Sequence, residues 1–337
     1  MLNFYGKALS LSPITHGAVD INLDDRTNKG EIRRIPFVIM TENESYTIFV
    51  PVVSGNGVKG LTRREFARKI RYALGEEKFD VLPNEVKYLI AAGGANTNAS
   101  PKIVKQQVYT ELRKTLPFLS LLGGIYRGHY FRGAMVTDFM IPLVKEIIPL
   151  YTYKMEKVQL DPSPDKYPDL SSLFLNEYIG YTRFKVEGID VEEIANNEED
   201  EEKLTVRNQM VYYMKQIPAG TLMIHGFHLN NTSEIELACF YAFLKTFIEV
   251  GHVGGNISKG HGQIKVNYYT ENGELLDIDN LSKLEEPFWK YLEKDKDKIL
   301  EELNNLDNKL QWEVKNKNKG KKGKNEDNDD SDNNTEE

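Results

Sequence analysis

Alternating and periodic apolar positions define the first quarter of the chain. Residues 2–11 and 46–53 are rich in β-branched and aromatic side chains, which predicts two strands. The polar, charged stretch between them, residues 20–34, predicts a long exposed loop. In residues 61–74, apolar side chains recur at helical spacing, which predicts a helix with one apolar stripe and a cationic remainder. With the glycine-rich residues 54–60 as a turn, the predicted order is strand, turn, helix.

A second strand-helix-strand pattern follows later in the chain. Residues 220–229 alternate as a strand, and residues 233–251 predict a helix capped by Ser233 and ended by Gly251. A glycine-rich loop then leads into a strand over residues 263–269. The strands of the two strand-helix-strand patterns can form one antiparallel sheet. We therefore predict an α+β fold with a modified ferredoxin-like, or RRM-like, core in which helices cover an antiparallel sheet.

The middle and the end of the chain predict additions to this core. Residues 86–122 have helical character around a break at residues 93–94, and residues 148–216 carry prolines, tyrosines and many acids. A low-complexity tail that cannot bury a core ends the sequence. The predicted organisation is a core over 1–147 and 217–283, an insertion over 148–216, a charged helix over 284–314 and a disordered tail over 315–337.

Composition narrows the class of protein. The 337 residues are 40% hydrophobic and 28% charged, which is typical of a soluble globular protein. No stretch approaches the roughly 18–20 apolar residues of a membrane helix, and the N-terminus does not have the pattern of a signal peptide. The single cysteine, Cys239, excludes a disulfide framework and a cysteine-clustered zinc site. We expect a cytoplasmic protein without cofactor or structural metal.

The charge is negative overall but unevenly distributed. The net charge of −8 argues against a nucleic-acid partner, yet residues 187–202 alone hold nine acids. Residues 59–71 hold six bases against the single acid Glu65. Distribution matters more than the sum for a partner that carries phosphates. The chain therefore contains a compact basic element.

That basic element is the first candidate site, residues 54–69. Its glycines are expected to turn the backbone with positive φ and to approach a ligand closely. The helix N-terminus offers unpaired N–H donors and the positive end of the helix dipole. Lys59, Arg63 and Arg64 add cations, with Arg68 one turn further on. The order of residues is not that of a Walker loop. Phosphate binding and a solvated basic helix face both fit this pattern.

The second candidate site is residues 123–133, where cations and aromatic rings interleave. Tyr126, Arg127, His129 and Arg132 belong to this run. Rings of this kind stack on bases while guanidinium groups hold phosphates. A hairpin that packs its aromatic rings into the core is the alternative.

The third candidate site is the loop over residues 251–262, which contains five glycines. This density indicates either backbone lying against a large ligand or a contorted turn. Ser258 and Lys259 are its candidate contacts, and His261 is its titratable neighbour.

Signals for catalysis are weak. His225 and His228 are three residues apart in a predicted strand, so they point to opposite faces, which argues against a shared metal. Neither a G-x-S-x-G nor an H-E-x-x-H motif is present. Loop aspartates are usually solvated, but those near His16 have the chemistry of a base or a ligand to a hard cation. They are Asp20, Asp24 and Asp25.

The order of these elements resembles the RAMP superfamily of CRISPR-associated proteins. Residues 55–64 follow a G-x-x-x-K-G-x-x-R-R turn-helix pattern. Residues 121–143, with Asp138 and Pro142, look like the central region of that family, and residues 251–266 look like its C-terminal glycine-rich loop and last strand. Each motif is short, and their order carries the resemblance.

Within the superfamily, the chain is most similar to the crRNA-binding backbone subunit of a class 1 effector complex, type IV-like or related. The resemblance implies an RRM-like core with insertions that form a hand-like shape, and a thumb within residues 148–216 that kinks the guide. It implies a subunit that oligomerises along the guide RNA and presents it to the target nucleic acid, together with other subunits. Neither a cofactor nor a metal is implied.

The resemblance also implies phosphate contacts at Asn56, Lys59, Arg63 and Arg64, with Lys259 and its neighbours as a second wall of the groove. The residues that the sequence itself nominates extend this set. The full predicted RNA-binding set is Asn56, Gly57, Lys59, Gly60, Arg63, Arg64, Arg68, Tyr126, Arg127, His129, Arg132, Ser258 and Lys259.

Three alternatives stay open at this point. A type III-like subunit would also cleave target RNA through Asp24 or Asp25. A RAMP-type crRNA-processing endonuclease would use His16 as general base. Outside this class, a nucleotide-binding enzyme would hold a phosphate at residues 54–60. We expect a protein that binds RNA and does not cut it.

Overall fold

A computed structural model describes residues 1–17, 29–94, 102–174, 177–183 and 209–310. The chain forms two compact units. The first consists of residues 1–65, 135–231 and 241–284, and the second of residues 66–134, 232–240 and 285 onward. The predicted boundaries of core, insertion and terminal helix stay predictions.

Strands and helices occur in groups along the described part of the chain. The strands are β1 (Leu2–Ser10), β2 (Lys29–Gly30), β3 (Arg34–Met40), β4 (Ser45–Pro51), β5 (Lys102–Ile103), β6 (Gly124–Tyr126), β7 (His129–Phe131), β8 (Met135–Thr137), β9 (Ile141–Pro142), β10 (Glu177–Arg183), β11 (Gln209–Lys215), β12 (Leu222–Leu229), β13 (Ile264–Thr270) and β14 (Leu275–Leu276). The helices are α1 (Gly55–Leu74), α2 (Glu76–Asp80), α3 (Asn84–Ala92), α4 (Gln106–Thr115), α5 (Pro117–Leu122), α6 (Ile148–Lys157), α7 (Glu234–Val250), α8 (Ile278–Lys294) and α9 (Lys296–Asn304).

The main sheet of the first unit confirms the predicted fold class. Its strand order is β14-β13-β1-β12-β8, with β9 also on β12, and every pairing is antiparallel. Along the chain, α1 lies between β1 and β8, and α7 lies between β12 and β13. Counting β1, β8, β12 and β13 as the first to fourth strands gives the spatial order 4-1-3-2. This is the split βαβ arrangement of a ferredoxin-like core.

The two faces of this sheet bury different side chains because successive residues of a strand point in opposite directions. On one face, Phe227 packs against Tyr268, with ring centroids 5.4 Å apart, and edge-on against Phe243 and Phe247 of α7 at 6.1 Å. The other face carries Tyr5. Its buried core consists of Tyr5, Val50, Val52, Ile141, Leu143, Val144, Ile147, Ile148, Met155, Val158, Leu173, Ile224 and Tyr269.

The sequence prediction missed β3, the strand that pairs with β4 in a hairpin. The predicted strand over 46–53 corresponds to β4, but residues 34–40 pair with it in full antiparallel register, Arg34 opposite Pro51 and Met40 opposite Ser45. The side chains of Ile35, Phe37, Ile39 and Ile48 pack against the buried core that contains Tyr5. The predicted loop over 20–34 therefore ends in a strand, while residues 18–28 lie outside the described residues.

The second unit is built from helices and one small sheet. In that sheet β5 lies parallel to β7, and β7 pairs antiparallel with β6. The ring of Phe66 stacks on Phe288 at 5.7 Å and meets Trp289 edge-on at 6.0 Å. The described part of the predicted helical region over 86–122 contains three helices, and α3 ends at Gly93, which has a left-handed φ of 88°. The predicted terminal helix is two helices, α8 and α9.

Helix α7 begins with a capping box. The Ser233 hydroxyl lies 3.4 Å from the Glu236 N–H, and the Glu236 carboxylate accepts the Ser233 N–H at 2.8 Å. The predicted cap at Ser233 is therefore confirmed. Glu236 is fully buried and also accepts two bonds from Arg113, at 2.6 and 2.9 Å, and one from Ser120 at 2.6 Å. Burial alone would raise the pKa of Glu236, but these bonds outweigh it and lower the pKa.

Three predicted features lie outside the described residues. They are the loop aspartates Asp20, Asp24 and Asp25, the acidic run over 187–202 and the tail over 315–337. Within the part of the chain that the structure describes, no helix is both long enough and apolar enough to cross a membrane.

Candidate nucleic-acid interface

Helix α1 begins immediately after Ser54, which caps it. The Ser54 hydroxyl accepts the N–H of Gly57 at 3.1 Å, and the Ser54 carbonyl accepts the N–H of Val58 at 2.9 Å. The first-turn N–H groups and the helix dipole make this end electropositive. No acidic residue lies in the first turn. The start of α1 is thus suited to a negatively charged ligand.

The position of this helix start corrects the predicted glycine turn. Residues 55–60 are helical, and Gly55, Gly57 and Gly60 have no positive φ. At two of these positions, glycine is required because a larger side chain would not fit. A Cβ on Gly55 would lie 2.5 Å from the Thr137 carbonyl oxygen, and one on Gly57 would lie 2.7 Å from Cε1 of His16. A Cβ on Gly60 would meet nothing within 4 Å.

His16 connects the segment after β1 to the cap of α1. Its Nε2 lies 3.0 Å from the Ser54 hydroxyl and accepts the Ser54 N–H at 3.2 Å. An N–H can only donate, so Nε2 carries the lone pair and the imidazole is neutral in this arrangement. Burial, followed by the charge of Arg33, lowers the pKa of His16 below its ordinary 6.5, which is consistent with the neutral form.

Cations and an amide follow one another along α1. Asn56, Lys59 and Arg63 are spaced by three and four residues, which sets them on one helix face. Lys59 is half-buried, and burial followed by the charge of Arg63 lowers its pKa. Burial lowers the pKa of Arg63 to about 10, so the guanidinium stays charged at neutral pH. Arg64 is exposed. This face holds like charges close together.

The glycine-rich loop is attached to the residue that precedes His16. Thr15 accepts the Gly255 N–H on its carbonyl at 2.8 Å and donates its hydroxyl to the Gly255 carbonyl at 3.0 Å. The Asn256 side chain reaches the same hydroxyl at 3.3 Å. A third link joins the Gly262 N–H to the Pro13 carbonyl at 2.9 Å. The loop therefore lies along the segment after β1.

The backbone conformation of this loop requires glycine at several positions. Gly254, Gly260 and Gly262 have φ of 80°, 86° and 84°, and Asn256 joins them with φ of 55°. Only glycine adopts such angles without steric cost, with asparagine next best. The contorted turn, one of the two interpretations of this sequence, accounts for these positions. Between them, a 3-10 turn over Ile257–Lys259 presents Ser258 and Lys259 to solvent.

The start of the first candidate and the third candidate are thus both bonded to one segment of the first unit. Thr15 bonds the loop over 251–262 and His16 bonds the start of α1, and the two residues are consecutive. Consecutive Cα atoms are about 3.8 Å apart. Residues that are distant in sequence are therefore attached to one short segment. The sequence gives no local sign of this role for Thr15, whereas Ser54 has the residue type of an N-cap.

The second candidate belongs to the second unit and is built differently. The Tyr126 ring is buried. The Arg127 guanidinium binds Glu85 at 2.7 Å and Asp307 at 2.6 Å, and it lies 5.6 Å from the centre of the Tyr126 ring. These carboxylates raise the pKa of Arg127, so the guanidinium stays protonated, and their negative charges balance its positive charge. This pairing gives Arg127 a structural role in the unit.

The other residues of that candidate lie in or beside the hairpin β6–β7. His129 is half-buried, and Arg132 is exposed and accepts the Tyr109 hydroxyl on its carbonyl at 2.5 Å. Arg68 is likewise exposed in this unit, on the later part of α1. Arg68, Tyr126, Arg127, His129 and Arg132 therefore all belong to the second unit.

The two histidines of β12 point to opposite faces, as predicted. His225 is buried, and its Nδ1 lies 2.6 Å from the Tyr268 hydroxyl. His228 lies 2.8 Å from Asn3 and 3.0 Å from Asp138. Asp138 also binds Lys154 at 2.5 Å. Hydrogen bonds from His228 and Lys154 outweigh the effect of burial and lower the pKa of Asp138 to about 2. Asp138 thus takes part in a structural network.

Glycine spacing in α1 leads to the first prediction. Gly55→Ala is expected to lower the free energy of unfolding by about 1–3 kcal/mol, because its Cβ meets a backbone oxygen that cannot move aside easily. Gly60→Ala, the same change in the same helix, is expected to be neutral or stabilising by up to about 1 kcal/mol. Urea unfolding measures both. Equal destabilisation by the two variants would contradict the close packing of Gly55.

Two solved structures are similar to this chain. A chain of a Type IV-B CRISPR complex is 20% identical with a TM-score of 0.44, and the match covers 79% of this chain and 90% of that one. Csc2 of Thermofilum pendens is 10% identical with a TM-score of 0.36, over 93% of this chain and 89% of that one. No protein-family model and no curated protein matches the sequence.

Proposed function

We propose that this protein is an RNA-binding backbone subunit of a class 1 CRISPR effector complex. Copies of the chain line up along the guide RNA and present it for pairing with the target nucleic acid. The other partners are the remaining subunits of the complex, which acts in antiviral defence in the cytoplasm. The subunit binds the guide and does not cut RNA.

One observation carries this proposal. The segment Pro13–Gly17 bonds both the start of α1 and the glycine-rich loop, so two elements suited to phosphate share one anchor. The first supplies helix N–H groups and the second supplies exposed Ser258 and Lys259. A ferredoxin-like sheet is a common frame for RNA recognition.

The electrostatics of α1 favour a ligand with several negative charges. Lys59 and Arg63 each have a lowered pKa because burial disfavours a charged group, and Arg63 adds repulsion at Lys59. A phosphate beside them would relieve both effects. Gly60 leaves open space next to these cations, where an RNA backbone can approach the helix closely.

Residues of the second unit have a secondary part in the proposal. Arg68 and Arg132 are exposed and able to meet phosphates. Tyr126 is buried, so stacking on a base requires its exposure. Arg127 would have to exchange its carboxylate partners Glu85 and Asp307 for RNA. The contacts over 54–64 and 251–262 therefore dominate the expected affinity.

The test is purification of the protein from cells with and without a CRISPR array, in moderate salt, followed by sequencing of any nucleic acid that accompanies it. We expect guide-length RNA in a large, multi-copy particle when the array is present. RNA of random sequence in both preparations would reduce the function to unspecific RNA binding. A monomer without nucleic acid in both preparations would contradict the proposal.

A further inference from the structure

We propose that His16 is a positioning residue for this RNA site: its neutral imidazole holds the first turn of α1, and protonation releases that turn. His16 does not contact the phosphates in this role. The RNA part of the inference rests on the proposed function, whereas the effect on the helix does not.

The hydrogen bonds at Nε2 define the role. The backbone N–H of Ser54 donates to Nε2 at 3.2 Å. The Ser54 hydroxyl, which accepts the N–H of Gly57, lies 3.0 Å from the same Nε2. A hydroxyl rotates and can either donate or accept, whereas the Ser54 N–H can only donate. A proton on Nε2 would therefore set donor against donor at the Ser54 N–H and loosen the link to the cap.

The packing around the ring leaves it little freedom to avoid this conflict. The position of a Cβ on Gly57 lies 2.7 Å from Cε1, so the imidazole edge rests on the helix backbone. The His16 carbonyl accepts the Arg33 N–H at 2.9 Å, which fixes the main chain. The neighbouring Thr15 is tied to Gly255. Protonation is therefore expected to displace the helix start and not merely the ring.

The surroundings of His16 keep it neutral at neutral pH. Within the part of the chain that the structure describes, the charged group that acts on it is Arg33, from the segment before β3. Helix α1 presents uncharged Ser54 and Gly57, and the glycine-rich loop presents Gly255 beside Thr15. Burial and Arg33 both lower the pKa of His16 below its ordinary 6.5. Its contribution to stability is therefore complete above about pH 6.5 and declines as the pH falls below that value.

The change in RNA affinity with pH has opposite signs for this role and for direct phosphate binding. A histidine that contacts phosphate gains a charge in acid and binds RNA more tightly. His16 as the acceptor for the Ser54 N–H loses that hydrogen bond in acid, so RNA binding weakens. The direction of the pH dependence therefore distinguishes the two roles without any change to the protein.

The experiment measures the affinity of the full chain for a fluorescein-labelled single-stranded RNA of mixed sequence, at constant ionic strength, from about pH 8 to about pH 5.5. The natural chain is expected to lose affinity about fivefold to tenfold, the factor that the loss of one helix cap implies. His16→Gln keeps an acceptor near Nε2 that does not titrate, so its profile is expected to be flat by comparison. A rise in affinity in acid that His16→Gln removes would overturn the proposal, as would equal losses in both proteins.

A second readout does not need RNA. Amide hydrogen exchange over residues 54–58, corrected for the intrinsic pH dependence, is expected to accelerate in acid in the natural chain but not in His16→Gln. Gly57→Ala, which displaces the ring, is expected to show fast exchange at every pH. If exchange follows this pattern but no RNA binds, the helix link stands and the proposed function fails. If exchange is indifferent to pH while RNA binds, the role of His16 is refuted.

Discussion

Replacing Arg63 and Arg64 together by alanine is expected to weaken RNA binding about 100-fold, with little dependence on RNA sequence. Each guanidinium that bonds a phosphate contributes about 1.5 kcal/mol, or roughly tenfold, and two such contacts multiply. Phosphate contacts carry no base information, so all sequences lose alike. The slope of log affinity against log salt is expected to flatten by about 1.4, at about 0.7 for each phosphate on a single strand.

The matched control is Arg71→Ala on the same helix. Arg71 binds Asp80 at 2.6 Å and Glu76 at 3.1 Å, so its charge is already neutralised within the protein. Its loss is expected to leave the RNA affinity and the salt slope nearly unchanged. Fluorescence anisotropy at several salt concentrations measures all three proteins, and the melting temperature reports whether each is folded. An unchanged slope in the folded double variant would rule out this helix face as the phosphate site.

Glu236→Ala is expected to destabilise the protein by about 2–4 kcal/mol, because it removes a fully buried carboxylate that caps α7 and takes the counterion from the partly buried Arg113. Glu236 is fully buried and receives bonds from Arg113, Ser120 and the Ser233 N–H. Its removal therefore opens the capping box of α7 and separates the Arg113 guanidinium from its carboxylate at the same time. Few single substitutions in a domain reach this magnitude.

The control for this prediction is Glu234→Ala, two residues earlier in the first turn of the same helix. Glu234 is exposed, and it contributes mainly through the helix dipole, which amounts to less than about 1 kcal/mol. Urea unfolding of the two variants and the natural chain, with comparison of the m-values, gives the measurement. Similar losses for Glu234→Ala and Glu236→Ala would show that the buried network adds nothing beyond helix propensity.

The local elements of this fold could be predicted because their signals are local. Strand β12 lies within the strand predicted over residues 220–229, and α7 follows from a helical period that begins at Ser233 and ends before Gly251. The capping box sets Ser233 and Glu236 three residues apart, a distance at which the sequence itself brings the groups together. The two strand-helix-strand units then predict the antiparallel sheet, which the strand order confirms.

The start of α1 shows where local reasoning failed. Three glycines within six residues predict a turn, since glycine is costly inside a helix. The chain is helical there because packing overrides this propensity: the Thr137 oxygen and the His16 ring leave no room for a Cβ at Gly55 and Gly57. Strand β3 was missed for a related reason. Its apolar residues are explained by a core to which distant segments contribute.

The sequence by itself determined most of the elements, the fold class and the cations of the candidate site, because hydrophobic period, capping and charge are properties of neighbouring residues. Only the tertiary structure decided which of these candidates share a location. Thr15 and Gly255 are 240 residues apart, and His16 and Ser54 are 38 apart, yet each pair forms hydrogen bonds. The same long-range packing gives Arg127 its carboxylate partners. No local pattern encodes such contacts, because they arise only when the sheet and its connections bring distant segments together.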